Sequence, residues 1–226
     1  MLINKFILKV PIFSGLDETQ ISFILTKMNK KEYLKGDIIL MEDEIGDTFF
    51  IILEGSVKVT KDSEDGREVI LAVLSSGNFF GEISLLDRKT RSANAISLEK
   101  TKLMILKRHD FLNLIKEFPQ ISISLLSELA NRIRKTDEQV ENLAFSDAEK
   151  RVGISILSIS DQLGVIKNGS VHIPKLPFQQ DIANMAGTSR ETVSRMLKIL
   201  EKKKLITRNS HKLSFVDYNK FKNYFL

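Results

Sequence analysis

The sequence predicts an α+β chain in three consecutive parts: a β-barrel or sandwich, one long helix, and a C-terminal domain of helices closed by a strand hairpin. Three observations predict it. Residues 33–107 run as short alternating apolar stretches separated by turns at Gly36, Gly46, Gly55, Gly66 and Gly77, the pattern of a many-stranded β fold. Leu126, Leu129, Ile133, Thr136, Val140 and Leu143 follow at spacings of 3, 4, 3, 4 and 3, a heptad seam on one helix. Residues 177–208 hold two closely spaced helical stripes on either side of Gly187.

Taken in order, the N-terminal MLINKFILKVPIF reads as an amphipathic first helix. Lys5 and Lys9 interrupt it and no small-residue cleavage site follows, so it does not read as a signal peptide. Strands are expected at Thr48–Leu53, Val57–Thr60 and Val69–Leu74, the last two joined through Asp65-Gly66 in SEDGRE, a hairpin signal. Pro119 suits a helix's first turn and opens the seam helix, about 119–145. One helix cannot bury a heptad seam alone. Its expected partner is the same helix of a second copy, hence a twofold homodimer; the alternative is packing on its own barrel. Ala144–Asp147 reads as a hinge, so the domains are 1–145 and 146–226. Beyond it come a helix near 148–163, a loop containing Gly164, Gly169, Pro174 and Pro177, a helix Gln179–Met185 with Ile182 and Met185 inward, a second helix, and a hairpin from Leu205 to Val216.

Composition narrows the function. Of 226 residues 42% are hydrophobic and 28% charged, as in ordinary soluble domains, and no apolar run approaches the ~20 residues that span a bilayer. A cytoplasmic protein with no membrane partner is expected. The absence of cysteine excludes disulfides, thiolate zinc and cysteine-ligated iron–sulfur clusters. His109, His172 and His211 lie far apart, in no metal-ligand spacing, so no metal is expected. No nucleophile elbow, P-loop or H-E-x-x-H is present, so an enzyme is not expected. Residues 146–226 carry 14 Lys+Arg against 7 Asp+Glu, whereas residues 1–145 carry 20 against 22. All the excess positive charge falls in the last third, the footprint of a nucleic-acid-binding domain beside a neutral one.

The stretch PFQQDIANMAGTSRETVSRMLKILEKKKLITR carries the chemistry. Gly187 supplies a tight turn, and Ser189 is placed to cap the second helix, with Glu191 in its first turn. Val193, Met196, Leu197 and Leu200 make its buried stripe; Arg190, Glu191, Ser194 and Arg195 make the opposite face. The second helix of a helix-turn-helix puts its N-terminal residues on base edges in the major groove. There arginine forks onto guanine and a carboxylate accepts from cytosine. Double-stranded DNA is therefore the expected partner. The alternative is an exposed face held by an Arg–Glu salt bridge.

These residues resemble the helix-turn-helix of the Crp/Fnr family of bacterial regulators, and SRETVSRMLKILE is close to the family signature. The resemblance extends over the chain. It implies a cyclic-nucleotide-binding-type jelly-roll barrel, a dimerisation helix, a winged helix-turn-helix, inverted-repeat DNA half-sites and RNA polymerase as a further partner. Carried over residue by residue, Arg190 and Arg195 read guanines and Glu191 a cytosine, while Gln180, Ser189 and Thr192 hold phosphates. The half-site is then TGTGA-like, or TTGAT-like if Ser194 marks the Fnr-like branch.

GEISLLDRKTRSA (residues 81–93) resembles the phosphate-binding cassette of cyclic-nucleotide domains. The implied ligand set is Phe80, Gly81, Glu82, Ile83, Arg91, Ser92, Thr136 and Asp137. Glu82 takes a ribose hydroxyl, Arg91 and Ser92 the cyclic phosphate, and Thr136 the adenine amino group. Asp137 replaces the family's serine beside Thr136, a departure that bears on adenine recognition. The implied effector is cAMP or a related cyclic nucleotide. In the alternative reading, Glu82 and Arg91 form an internal ion pair and the regulator is DNA-competent without cAMP.

Overall fold

The alternating runs fold as strands and the heptad seam as one helix. The computed structural model describes residues 2–167 and 169–225; Met1 and Leu226, the outer limits of the two expected domains, lie outside the described residues. Eight strands occupy residues 29–107: β1 (Asn29–Tyr33), β2 (Ile38–Leu40), β3 (Thr48–Glu54), β4 (Ser56–Asp62), β5 (Glu68–Ser75), β6 (Phe79–Phe80), β7 (Asn94–Ser97) and β8 (Thr101–Lys107). They form two four-stranded sheets, ordered β1-β8-β3-β6 and β2-β7-β4-β5, the jelly roll expected. Pairing begins at Asn29, four residues before the expected start. β1 is an edge strand whose Lys30, Lys31 and Glu32 are exposed, so it offers no apolar alternation to read.

Helices flank these strands: α1 (Leu2–Ile7), α2 (Glu18–Leu25), α3 (Ile83–Asp87), α4 (Arg108–Glu117) and α5 (Pro119–Phe145). The N-terminal segment is two pieces rather than one amphipathic helix. Pro11 starts a separate 3₁₀ turn, Pro11–Phe13, whose apolar residues are buried. Asp17 then caps α2 in a reciprocal box with Gln20. One core gathers Phe13, Phe49, Phe79, Leu85, Met104 and Phe111. Phe49 stacks on Phe111 with centroids 4.7 Å apart. A second core between the sheets is built on Phe50 stacked on Phe80 at 5.0 Å.

α5 has the bounds expected of the seam helix. Ile121 and Leu125 are buried and Leu129 packs on the first core. The seam residues Leu126, Ile133, Val140 and Leu143 are 66%, 62%, 60% and 56% exposed, so packing on the chain's own jelly roll does not cover them.

The chain divides into two compact units, Met1–Lys61 with Val73–Asp137 and Asp62–Ala72 with Glu138–Leu226. The second contains α6 (Ala148–Leu163), β9 (Val165–Lys167), β10 (Ser170–Ile173), α7 (Gln179–Ala186), α8 (Arg190–Lys202), β11 (Ile206–Asn209), β12 (Lys212–Phe215) and α9 (Tyr218–Phe225). Its strands form one sheet, β11-β12-β10-β9. The stretch expected as loop around Gly164 and Gly169 is therefore partly sheet; its strands of three and four residues are too short for alternation to show. In α7 the inward residues are Ile182, Ala183 and Ala186, while Met185 is only half-buried. α9 was not expected from the pattern. Phe221 and Phe225 anchor it against Phe215, which tertiary contact decides and helical propensity does not.

Candidate effector cassette and DNA-reading helix

The cassette follows β6, where the chain leaves the sheet through Gly81. Gly81 has φ +82°, and a side chain there would meet the Arg91 guanidinium and the Thr48 carbonyl at 3.0 Å. Gly46 clears space from the other side: a Cβ would lie 2.4 Å from Arg91 Nε. Into this space Arg91 turns inward, 5% exposed. Its Nη1 donates to Gly81 O and Ser84 Oγ, both at 2.8 Å, and its Nη2 to Thr48 O at 2.8 Å and Thr48 Oγ1 at 2.9 Å. Burial pulls the Arg91 pKa down, while Asp47, Glu82 and Glu44 act against that shift.

Glu82 is 1% exposed. A carboxylate so placed demands a counter-charge. That partner is Arg132 of α5, whose Nη1 donates to Glu82 Oε1 at 2.9 Å. Arg132 also donates to Phe79 O at 2.6 Å and lies over the Phe79 ring at 4.5 Å. The other carboxylate oxygen, Oε2, is buried with no hydrogen-bond partner. Such an atom costs free energy unless a donor reaches it.

Of the expected ligand residues, the structure brings Gly81, Glu82 and Arg91 together. Phe80 is buried under Phe50, Ile83 is 45% exposed, and Ser92 is exposed beside Arg91. Thr136 and Asp137 are exposed on α5, and Thr136 Oγ1 donates to Arg132 O at 3.0 Å, one turn back. Sequence reasoning missed Arg132, Thr48 and Ser84. The only signal for Arg132 was its position four residues before Thr136, on the same helix face. The ion pair expected between Glu82 and Arg91 in the alternative reading is made by Glu82 with Arg132 instead. Among the described residues no group of three or more His, Cys, Asp or Glu gathers as a metal site.

In the second unit, Gly187 ends α7 in the left-handed region, φ +57° and ψ +47°. Arg151 of α6 secures this turn, donating to Ala186 O at 2.8 Å and Gly187 O at 3.2 Å while also holding Ser146 O at 2.7 Å. Ser189 caps α8, its Oγ accepting from Thr192 N at 3.3 Å. Val193, Met196, Leu197 and Leu200 are all buried, which turns the opposite face outward. There Arg190, Glu191 and Arg195 are exposed, and Thr192 and Ser194 are half-buried. The Glu191 carboxyl lies below the usual range because it accepts from its own backbone amide and the Ser189 hydroxyl, with Arg190 adding to the effect. Arg195 Nε pairs with Glu149 Oε1 of α6 at 3.5 Å, so the salt bridge on this face does not run to Glu191. Gln180 is exposed at the start of α7 and donates to Asn184 Oδ1 at 2.9 Å.

Known proteins match both units. The Cyclic nucleotide-binding domain family matches residues 30–118 and the Crp-like helix-turn-helix domain family residues 150–224, together more than half of the chain. The chain is similar to the Cyclic AMP receptor protein of Thermus thermophilus, 35% identical over 191 residues, or 84% of this chain and 85% of that one. It is 29% identical over 194 residues to the CRP-like cAMP-activated global transcriptional regulator of Mycobacterium tuberculosis, covering 86% and 87% of the two chains. The structure of FixK2 from Bradyrhizobium japonicum shares the fold, with a TM-score of 0.79 at 22% identity, over 87% of this chain and 96% of that one. The Mycobacterium tuberculosis relative is named as a transcriptional regulator and the Thermus thermophilus one as a receptor, neither as an enzyme. With both domain families matched and a relative 35% identical over 84% of the chain, the chain belongs to the Crp/Fnr family of DNA-binding transcriptional regulators with a cyclic nucleotide-binding domain.

Proposed function

We propose that the chain acts as a homodimer that reads inverted-repeat DNA and is controlled by a small anionic effector, cAMP or a close relative, held in the jelly roll. Residues 1–145 sense and residues 146–226 bind DNA, although the compact units divide within α5, between Asp137 and Glu138, and the second also takes Asp62–Ala72. RNA polymerase is the further partner and the cytoplasm the place of action.

Glu82 Oε2 is the observation that carries the effector reading. It is a buried acceptor with its twin oxygen already held by Arg132, and a ribose hydroxyl is a donor of the kind it lacks. Arg91 supplies the anionic preference. Its burial lowers the pKa, so an anion entering beside it stabilises the charged guanidinium in place of the lost solvation. Ser92 adds an exposed hydroxyl. Thr136 and the departure at Asp137 stand one turn beyond Arg132, and on this reading they meet the base. The relatives named for cAMP support that choice of nucleotide.

The open seam on α5 supports dimerisation, since four exposed aliphatic side chains in heptad register match a second copy of the same helix. Two recognition helices then meet successive major grooves, about 34 Å apart. In each, Arg190 and Arg195 take guanines, Glu191 a cytosine, and Gln180, Ser189 and Thr192 phosphates, with Ser194 facing the base between. The effector acts by preferring the DNA-competent state, a shift of population.

The central test is fluorescence anisotropy on a TGTGA-N6-TCACA duplex with and without cAMP. A sharp rise in affinity with cAMP is expected; equal binding in its absence keeps the DNA reading and removes the effector. Arg190→Ala should weaken the cognate duplex by about 1–3 kcal/mol and relax one base position, measured against duplexes altered at each position; uniform weakening removes its base-reading role. Glu82→Gln keeps an acceptor for Arg132 but removes the charge, and should weaken cAMP about tenfold by titration calorimetry. Ile133→Glu puts like charges across the seam and should convert the dimer to monomer in light scattering; an unchanged mass overturns the seam as interface.

A further inference from the structure

Gly81, Glu82, Arg91 and Ser92 suit a ribose and a cyclic phosphate, which every 3′,5′-cyclic nucleotide carries. One such nucleotide differs from another at the edge of its base. On α5 the groups one turn beyond Arg132 are Thr136 and Asp137, and their hydrogen-bonding sense is fixed. The Thr136 hydroxyl donates its only proton to Arg132 O at 3.0 Å, so toward a ligand it can only accept. An aspartate carboxylate has no proton to donate and accepts through both oxygens.

The seam places Asp137. Arg132 stands one residue before Ile133 and Asp137 one residue after Thr136, so the two lie on opposite flanks of the heptad stripe. When two such helices pair in parallel, each flank meets the opposite flank of the other copy, between residues five apart in number. That is the separation of Arg132 and Asp137. A parallel homodimer therefore carries Asp137 of the second copy to the level of Arg132 and Thr136 of the first. Both Nη atoms of Arg132 are engaged there, Nη1 by Glu82 Oε1 at 2.9 Å and Nη2 by Phe79 O at 2.6 Å. Asp137 itself is exposed, so its carboxylate arrives with acceptor capacity to offer.

We infer that Asp137 of the second copy completes the effector site and that, among cyclic nucleotides, the site prefers the one with a guanine base. Along its pairing edge guanine shows two adjacent donors, N1–H and the N2 amino group, and Thr136 with Asp137 presents acceptors to both. Adenine shows one donor, the N6 amino group, beside the lone pair of N1, which a carboxylate repels. The ribose and phosphate contacts are common to both, so cAMP is held more weakly rather than refused. The inference rests on the effector reading proposed above and chooses among the nucleotides that reading allows.

Titration calorimetry of the full-length protein with cGMP, cIMP and cAMP isolates the base, because inosine keeps N1–H and lacks the N2 amino group. cGMP should bind about tenfold more tightly than cAMP, the worth of one hydrogen bond to a charged group, with cIMP between them. Asp137→Asn is nearly isosteric and presents a donor as well as an acceptor. It should lower cGMP affinity, raise cAMP affinity and bring the two within about twofold, whereas a purely structural role for Asp137 would move all three nucleotides together. Light scattering checks that the variant remains dimeric, and the order of the three nucleotides in the wild type tests the inference without any variant. Equal binding of cGMP and cAMP to the wild type, tighter binding of cAMP, or a parallel loss of both in Asp137→Asn overturns the inference and leaves the cassette in place. If none of the three binds, it is the effector reading itself that fails.

Discussion

A carboxylate shut away from water needs a cation beside it, and much of the first unit follows from how this chain meets that need at Glu82. The pairing cation does not come from the neighbouring strands but from Arg132, fifty positions along on the long helix. One guanidinium thereby holds Glu82, the Phe79 carbonyl and the Phe79 ring. Removing Arg132 would leave the buried Glu82 carboxylate alone, a loss of about 3–5 kcal/mol. The pair thus fixes helix to cassette, and with the helix it fixes where the aliphatic seam points. It also leaves the second carboxylate oxygen, Oε2, buried without a hydrogen-bond partner.

The second unit applies a comparable economy to backbone. The carbonyls at the end of α7 lack helical partners, and Arg151 reaches two of them while also tying Ser146 at the start of α6. Gly187 makes the turn and Ser189 begins the next helix. The exposed face of α8 is therefore aimed by the turn before it and by Arg151 of α6.

Strong periodicity made some of this legible and tertiary context hid the rest. Pro119 and an unbroken heptad gave the long helix its bounds, and Val193, Met196, Leu197 and Leu200 gave α8 its buried side. β1 was read late because an edge strand of lysine and glutamate shows no alternation. The β9–β10 hairpin escaped because glycine and proline around three- and four-residue strands look like loop. In the cassette, the residue types at Gly81, Glu82 and Arg91 were visible as a motif. The inward direction of Arg91 was not, because it depends on space left by Gly46 and on acceptors at Thr48 and Ser84. Arg132 was invisible for the same reason: a salt bridge across fifty residues leaves no spacing to read.

The pairing of Arg195 with Glu149 alters how binding should respond to ionic strength. An arginine that comes to DNA with a free charge sheds condensed cations from the phosphates, and each such contact steepens the dependence on salt. Arg195 has an exposed carboxylate partner, Glu149, 3.5 Å away. Salt weakens that internal pair as well as the contact that replaces it. The two effects oppose each other, so Arg195 can contribute to recognition while adding little to the salt slope. Arg190, about one and a half turns nearer the helix start, has the Glu191 carboxylate as its neighbour. On the DNA reading proposed above, a carboxylate of its own protein thus tempers what Arg195 adds to the sensitivity of binding to its ionic surroundings.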